Sequence, residues 1–316
     1  MFEGKKVLVA GGSGLIGKQL VKLLLKENAD VYVADKRNFD KSFSEKVTFN
    51  EVDLTHYDNC ISVCSDMDYV FNLLCIKGSP KAVKEMPVNY FDAMLLFNTN
   101  LLRAAHKCKV KKYLYTSSVG VYNPSEILYE DDVWKTFPSE NDRFAGWVKR
   151  MGELQTQAYK IQYGWNDISI VRPTNTYGPY DDFDSDKATV VPSLIKKICS
   201  SEDSVSIWGD GSSIRDFMYS EDVARGMMLV MEKSPGPNTP VNLGSGIGCS
   251  IRELVNMIMK VLKKDIEIVW DTEMPAGDNI RVLDISRAKS LGFEQTISLE
   301  EGITKTVDWY LNDSKN

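Results

Sequence analysis

Three glycines spaced three apart, in Gly11-Gly12-Ser13-Gly14-Leu15-Ile16-Gly17, follow directly on the apolar run Val7-Leu8-Val9-Ala10. A glycine string alone marks only a turn. Here it ends a run with strand character and opens a segment with helical spacing, the setting of a pyrophosphate cradle. In that setting Gly11 permits the tight turn, Gly14 lets a phosphate approach the backbone, and Gly17 lets helix and strand pack closely. The start of the helix, Ser13 through Ile16, then offers amide donors and a partial positive charge to an anion. A second apolar run ends at Asp35, in Val33-Ala34-Asp35-Lys36-Arg37. A carboxylate there accepts hydrogen bonds from ribose hydroxyls and repels a 2′-phosphate, which favours NAD over NADP. Lys36 and Arg37 pull the other way, since either can neutralise such a phosphate.

The elements that must position these residues alternate between two periods. Short β-branched runs at Lys6–Ala10, Asp30–Ala34, Val47–Val52, Tyr69–Leu74, Lys112–Thr116 and Ile168–Val171 read as buried parallel strands. Between them, Gly14–Lys26, Phe91–Lys107 and Trp147–Gln162 carry apolar residues at helical spacing. Strand–helix–strand repetition predicts an α/β fold, a Rossmann-type doubly wound parallel sheet. After Arg172-Pro173 the texture changes to short elements broken by Gly178-Pro179, the acidic stretch Asp181–Asp186 and Trp208-Gly209-Asp210-Gly211. The expected division is a dinucleotide-binding unit at 1–172, to which 215–248 returns, and a smaller interleaved α/β substrate unit at 173–214 and 249–316.

Composition bounds the function. The chain has 316 residues, 43% apolar and 26% charged, ordinary values for a globular protein. A formal charge of −6 argues against nucleic-acid binding, which needs a basic face. No apolar run approaches the ~20 residues of a membrane span, and the first strand begins too early for a signal peptide, so a cytoplasmic location is expected. The six cysteines are scattered without a CxxC pair, and there are only two histidines. Cys60 and Cys64 stand one helical turn apart, but reduced, buried thiols are the better reading than a metal site.

Further motifs follow in order. They are Asp53-Leu54-Thr55, Val70-Phe71-Asn72-Leu73-Leu74-Cys75-Ile76-Lys77, Thr116-Ser117-Ser118 with Val121-Tyr122, and Arg172-Pro173-Thr174-Asn175 with Tyr177-Gly178-Pro179. Arg215-Asp216-Phe217, Asp222-Val223-Ala224 and Asn242-Leu243-Gly244-Ser245-Gly246 complete the series. Along nearly its whole length the chain thereby resembles the extended short-chain dehydrogenase/reductase family, whose members act on nucleotide-sugars. The resemblance implies that Asp53, Leu54 and Lys77 line the cofactor. Within that family the substrate-side residues are most similar to the GDP-fucose-synthase group. They imply that Asn175, Trp208, Arg215 and Arg281 bind a nucleotide diphosphate, which arginine clamps with paired hydrogen bonds. The resemblance also implies a homodimer built on the helices Phe91–Lys107 and Trp147–Gln162.

The family's chemistry needs a Ser or Thr, a Tyr and a Lys, the lysine lowering the tyrosine pKa and holding the nicotinamide ribose. Ser118 and Lys149 match the first and last. The tyrosine belongs four residues before Lys149, and that residue is Ala145. Re-phasing does not recover it, because the only Tyr with Lys four residues later is Tyr32, inside a strand. Three readings stay open: a tyrosine removed by engineering, a natural variant with another base, or a non-catalytic NAD-binding relative. Tyr180 is the candidate substitute, following Gly178-Pro179 where the resemblance places a catalytic side chain. The family's dehydratases carry an acidic pair where this chain has Val119 and Gly120, and its epimerising fucose synthases carry Cys and His where it has Gly120 and Tyr180. Dehydration and dual epimerisation are therefore disfavoured. Hydride chemistry remains, at C4 of the sugar: dehydrogenation, ketone reduction or 4-epimerisation. The family's helix asparagine is also displaced, with Leu95 at its expected place.

Overall fold

The computed structural model describes residues 1–37, 39, 45–76, 85–183, 188–274 and 277–313. The β-branched runs form β1 (Lys6–Ala10), β2 (Asp30–Asp35), β3 (Val47–Glu51), β4 (Tyr69–Asn72), β5 (Lys112–Thr116) and β6 (Ile168–Pro173). After the shorter β7 (Asn175–Tyr177), β8 (Ser204–Trp208) and β9 (Ile214–Tyr219) comes β10 (Val241–Leu243). The first six and β10 make one seven-stranded sheet, ordered β10-β6-β5-β4-β1-β2-β3 and parallel throughout. Helices cover both faces. On one lie α1 (Leu15–Lys26) and a later helix at Ser220–Lys233, with Leu20, Leu24, Val223 and Met227 fully buried. On the other lie α2 (Tyr57–Cys64), α3 (Pro87–Lys107) and α4 (Arg143–Tyr163), packed around Cys60, Met94, Leu101 and Val148. This is the doubly wound Rossmann-type fold expected from the alternating periods.

Strand order reverses at β1, which pairs with β2 on one side and β4 on the other. The crevice beyond the carboxyl ends of these strands is where such sheets bind ligands. Cys60 and Cys64 sit inside α2 as core thiols. Burial pushes the Cys60 thiol up to about 12, and its Sγ donates to the Leu54 carbonyl at 3.2 Å.

The smaller unit is built around β9, which pairs with β7, with β11 (Gly248–Ser250) and with β13 (Ile280–Arg281). Strand β12 (Glu267–Asp271) pairs with β8. Over them pack α5 (Val190–Ser200), α7 (Ile251–Leu262) and α9 (Leu299–Asp313), while α6 (Ser220–Lys233) lies on the large sheet and α8 (Ser286–Ser290) is a short turn near β10. Helix α7 starts at a capping box in which Ser250 and Glu253 satisfy each other's backbone amides. One boundary differs from expectation: residue 215 lies within β9, which hydrogen-bonds to the small sheet, and the return to the large sheet begins only with α6. The reason is pairing, since β7, β11 and β13 all use β9 as their partner. Among the described residues, no helix is long and apolar enough to cross a membrane.

Candidate active site

The glycine loop is shaped by close approach. Gly11 has φ +83°, open to glycine, and a β-carbon on it would lie 3.1 Å from the Leu73 carbonyl carbon at the end of β4. A β-carbon on Gly17 would fall 2.5 Å from the Gly11 carbonyl oxygen, so any side chain there would prise α1 off the loop. Gly14 caps α1 with extended backbone and no side chain, and the first turn carries no acid. The opening amides of α1 therefore meet no side-chain acceptor from their own cap, as an anion site requires. Leu15 is buried, and Ile16 packs on the sheet core.

Asp35 is buried at the end of β2, and its carboxylate accepts from the Ser13 amide at 3.3 Å and the Arg37 amide at 3.1 Å. Ser13 Oγ donates in turn to the Arg37 carbonyl at 3.2 Å. The Arg37 guanidinium reaches back to within 3.3 Å of the place of a β-carbon on Gly14. Asp53 ion-pairs with Lys36 at 2.7 Å and accepts from Thr55. Partial burial opposes its ionisation, but those hydrogen bonds hold its carboxyl down at about 2. Leu54 turns its side chain into the core beneath α2. Lys77 lies outside the described residues.

Lys149 is almost fully buried, its Nζ donating to the Thr116 carbonyl at 2.8 Å and the Leu74 carbonyl at 3.3 Å. Burial pulls its pKa down, against the pull of Cys75 and Glu153. Nearby, the Thr116 hydroxyl is buried with no hydrogen-bond partner among the described residues. A glycine cradle, uncapped helix amides, an orphaned hydroxyl and a buried ammonium at the same strand ends fit a dinucleotide with its nicotinamide end towards β5. A bound nicotinamide dinucleotide would supply a hydride acceptor or donor there.

Ser118 closes β5 and caps the 3-10 turn Val119–Val121, its Oγ accepting the Gly120 amide at 3.1 Å. Helix α4 is pressed onto that turn through Gly146, whose β-carbon would collide with the Gly120 carbonyl oxygen. Spacings of three and four place Asp142, Ala145 and Lys149 along one side of α4. Ala145 is half-buried, packed against the core of the large sheet. Tyr180 does not join this group. Its hydroxyl accepts from Lys22 of α1 at 3.0 Å, Lys18 lies 4.4 Å from its ring centre, and Trp309 of α9 packs against it edge-on. Its backbone is left-handed, φ +70°, so the loop turns the ring onto α1. The displaced asparagine is Asn98, one turn beyond Leu95. It is buried, accepts from Asn72 at 3.0 Å and donates to the Tyr115 hydroxyl at 3.4 Å.

Arg215 and Arg281 are direct neighbours across the parallel pair β9–β13. Burial, together with Arg281, lowers the Arg215 pKa to about 10. The two guanidiniums repel each other, and the carboxylates of Asp142 and Asp278 offset that repulsion, raising the Arg281 pKa. Arg281 is held by Asp278, through Nε at 2.8 Å, and by Asp142 at 2.5 Å; Asp278 also accepts from Ser139 and Asn141. Asn175 donates to the Asp216 carbonyl at 2.9 Å, and Trp208 ends β8 with 46% of its surface exposed. Asp142 was missed in the sequence: its only signal is its place one turn ahead of Ala145, and nothing local reveals Arg281 as its partner. Arg172, within one of the quoted motifs, proves structural. Fully buried, it pairs with Glu153 at 2.7 Å and donates to the Tyr122 hydroxyl.

Comparison with known proteins agrees with this geometry. The model of the NAD dependent epimerase/dehydratase family matches residues 7–244. GDP-L-fucose synthase 1 of Arabidopsis thaliana is 30% identical over 324 residues, covering 99% of this chain and 95% of the plant protein. A dTDP-4-dehydro-6-deoxy-D-allose reductase from Streptomyces is 28% identical, covering 98% of this chain and 97% of that one. Among solved structures, the UDP-N-acetylglucosamine 4-epimerase of Methanobrevibacter ruminantium superposes with a TM-score of 0.88 at 28% identity, covering 98% of this chain and 99% of that one. The chain therefore belongs to the NAD dependent epimerase/dehydratase family and is an NAD(P)-dependent enzyme of the extended short-chain dehydrogenase type.

Proposed function

We propose that the protein transfers hydride at C4 of the sugar of a nucleotide-sugar, a GDP-sugar in preference, as a 4-dehydrogenase or 4-ketoreductase. The observation that carries this reading is the in-register pair Arg215 and Arg281, in the same molecule as a buried Lys149 and a half-buried Ser118. Two guanidiniums suit a diphosphate, whose charge they share through forked hydrogen bonds. Trp208 offers an aromatic face for a base, and the GDP-L-fucose synthases among the relatives support guanine. Ser118 donates to the sugar oxygen, and the Lys149 ammonium orients the nicotinamide ribose and stabilises developing negative charge on that oxygen. NAD is preferred over NADP, because the Asp35 carboxylate at the end of β2 disfavours a second negative charge beside it. The protein works as a homodimer through α3 and α4, which leave Leu96, Leu154 and Ile161 exposed.

A 4-epimerase is the second reading, favoured by the structural likeness to the UDP-N-acetylglucosamine and UDP-glucose 4-epimerases. Incubation with NAD and a panel of GDP-, UDP-, dTDP- and CDP-sugars separates the two. Net NADH formation, or NADH consumption with a 4-keto sugar, supports the oxidoreductase. An inverted sugar without net NADH supports the epimerase. No change in any sugar overturns both.

A further inference from the structure

The geometry points to Asp142 as the proton-transferring group that stands in for the absent tyrosine. This rests on the reading of the protein as a hydride transferase on a sugar hydroxyl. The Asp142 Cγ lies 3.4 Å from the point where a β-carbon on Gly120 would sit, and Ser118 Oγ lies 3.5 Å from the same point. The Asp142 side chain and the Ser118 hydroxyl therefore border the same small space beside Gly120, each at van der Waals distance from its centre. Asp142 is the residue from which α4 departs, and it makes no side-chain cap to that helix. Its orientation is set by Arg281 instead, at 2.5 Å, and Arg281 neighbours Arg215 across the strand pair. The side chain is partly exposed, at 31%, so it can reach a ligand. Asp142 thus lies between the two halves of the site, in the neighbourhood of the Ser118 hydroxyl on one side and ion-paired with Arg281 on the other.

In the oxidative direction the Asp142 carboxylate takes the proton of the sugar hydroxyl as its O–H bond breaks. The carbinol carbon–hydrogen bond breaks with its electron pair, a hydride that a bound nicotinamide dinucleotide would accept. A carbon–oxygen double bond forms and the carbinol is oxidised to a ketone, the two electrons leaving with that hydride. In the reductive direction the same carboxyl returns the proton.

The test compares the wild-type protein with Asp142→Asn and Asp142→Ala, using whichever panel sugar is turned over. General-base removal lowers kcat about 10²-fold or more. The expected result is that fall in kcat, with GDP and NADH dissociation constants unchanged within about threefold by titration calorimetry. Added formate should restore turnover in Asp142→Ala, where the side chain's volume is vacant, and not in Asp142→Asn. A purely positioning role through Arg281 predicts instead a weakened GDP affinity and no rescue, and that result overturns the proposal. So does unchanged kcat. A structure soaked with NADH and GDP-mannose gives a readout free of turnover, and the sugar hydroxyl is expected within hydrogen-bonding reach of Asp142. GDP-mannose bound at the arginine pair with its sugar away from Asp142 overturns this proposal alone. A protein that binds no nucleotide-sugar and converts none overturns the proposed function and this inference with it.

Discussion

The cofactor cradle and the reaction centre are built in opposite ways. The cradle is almost entirely local: Gly11 to Gly17 and Asp35 to Arg37 come from two adjacent strand ends, and their hydrogen bonds run between neighbours such as Ser13, Asp35 and Arg37. The proposed reaction centre is assembled from three distant segments: Ser118 after β5, Asp142 and Lys149 at the start and within α4, and Arg281 on β13. A local site is stable against change elsewhere and tolerates little change within itself. An assembled site tolerates replacement of single members, because a group of the right chemistry can enter from another segment. The proposed exchange of a tyrosine at 145 for a carboxylate at 142 would be that kind of replacement.

The largest expected effect tests the assembled site. If Asp142 performs the tyrosine's task, Ala145→Tyr should restore about 10²-fold or more of the turnover lost in Asp142→Asn, read by NADH absorbance. The same change in the wild-type background should alter turnover less than about tenfold. A large rise there would mean that the wild type lacks a base.

Next comes the local site. Gly17→Val drives a β-carbon against the Gly11 carbonyl oxygen, and NADH affinity should fall about 100-fold or beyond measurement while the small unit stays folded. Fluorescence titration with NADH reads the first, and GDP binding reads the second. Retained NADH affinity would show that the cradle yields more readily than its packing implies.

Arg281→Ala should raise KM for the nucleotide-sugar about 10- to 100-fold, the worth of a charge-assisted hydrogen bond. Its effect on kcat should be smaller than that of Asp142→Asn, since Asp142 then loses only its anchor. The smallest effect belongs to Tyr180→Phe. With its hydroxyl on Lys22, it should leave turnover within about twofold, and a large loss would return Tyr180 to the reaction centre.

The strands of the large sheet and the helices α1, α3 and α4 were legible because burial on both sides imposes β-branched runs and burial on one side imposes helical spacing. The glycine loop was legible because backbone conformation and close approach admit only one residue type. Tyr180 shows where such reading fails: its place after Gly178-Pro179 says nothing about which way the ring turns, and the left-handed backbone at 180 sends it to α1. Asn98 shows a milder failure, a buried polar residue one turn from its expected place and bonded to Asn72 and Tyr115. Arg172 shows the reverse, a motif residue whose charge is spent on Glu153 inside the core.

What the amino-acid order determined alone was everything dictated by nearest neighbours: the alternating fold, the cradle at the end of β1 and the acid at the end of β2; the gap at Ala145 is visible only through the family resemblance. Periodicity and glycine spacing act over a few residues, so they survive in one dimension. The tertiary structure decided which carboxylate lies one turn ahead of that gap and meets Arg281. Asp142 and Gly120 are 22 positions apart, and Arg281 lies far beyond both. Only the packing of Gly146 against the turn after β5, and of β13 beside β9, brings them to one place.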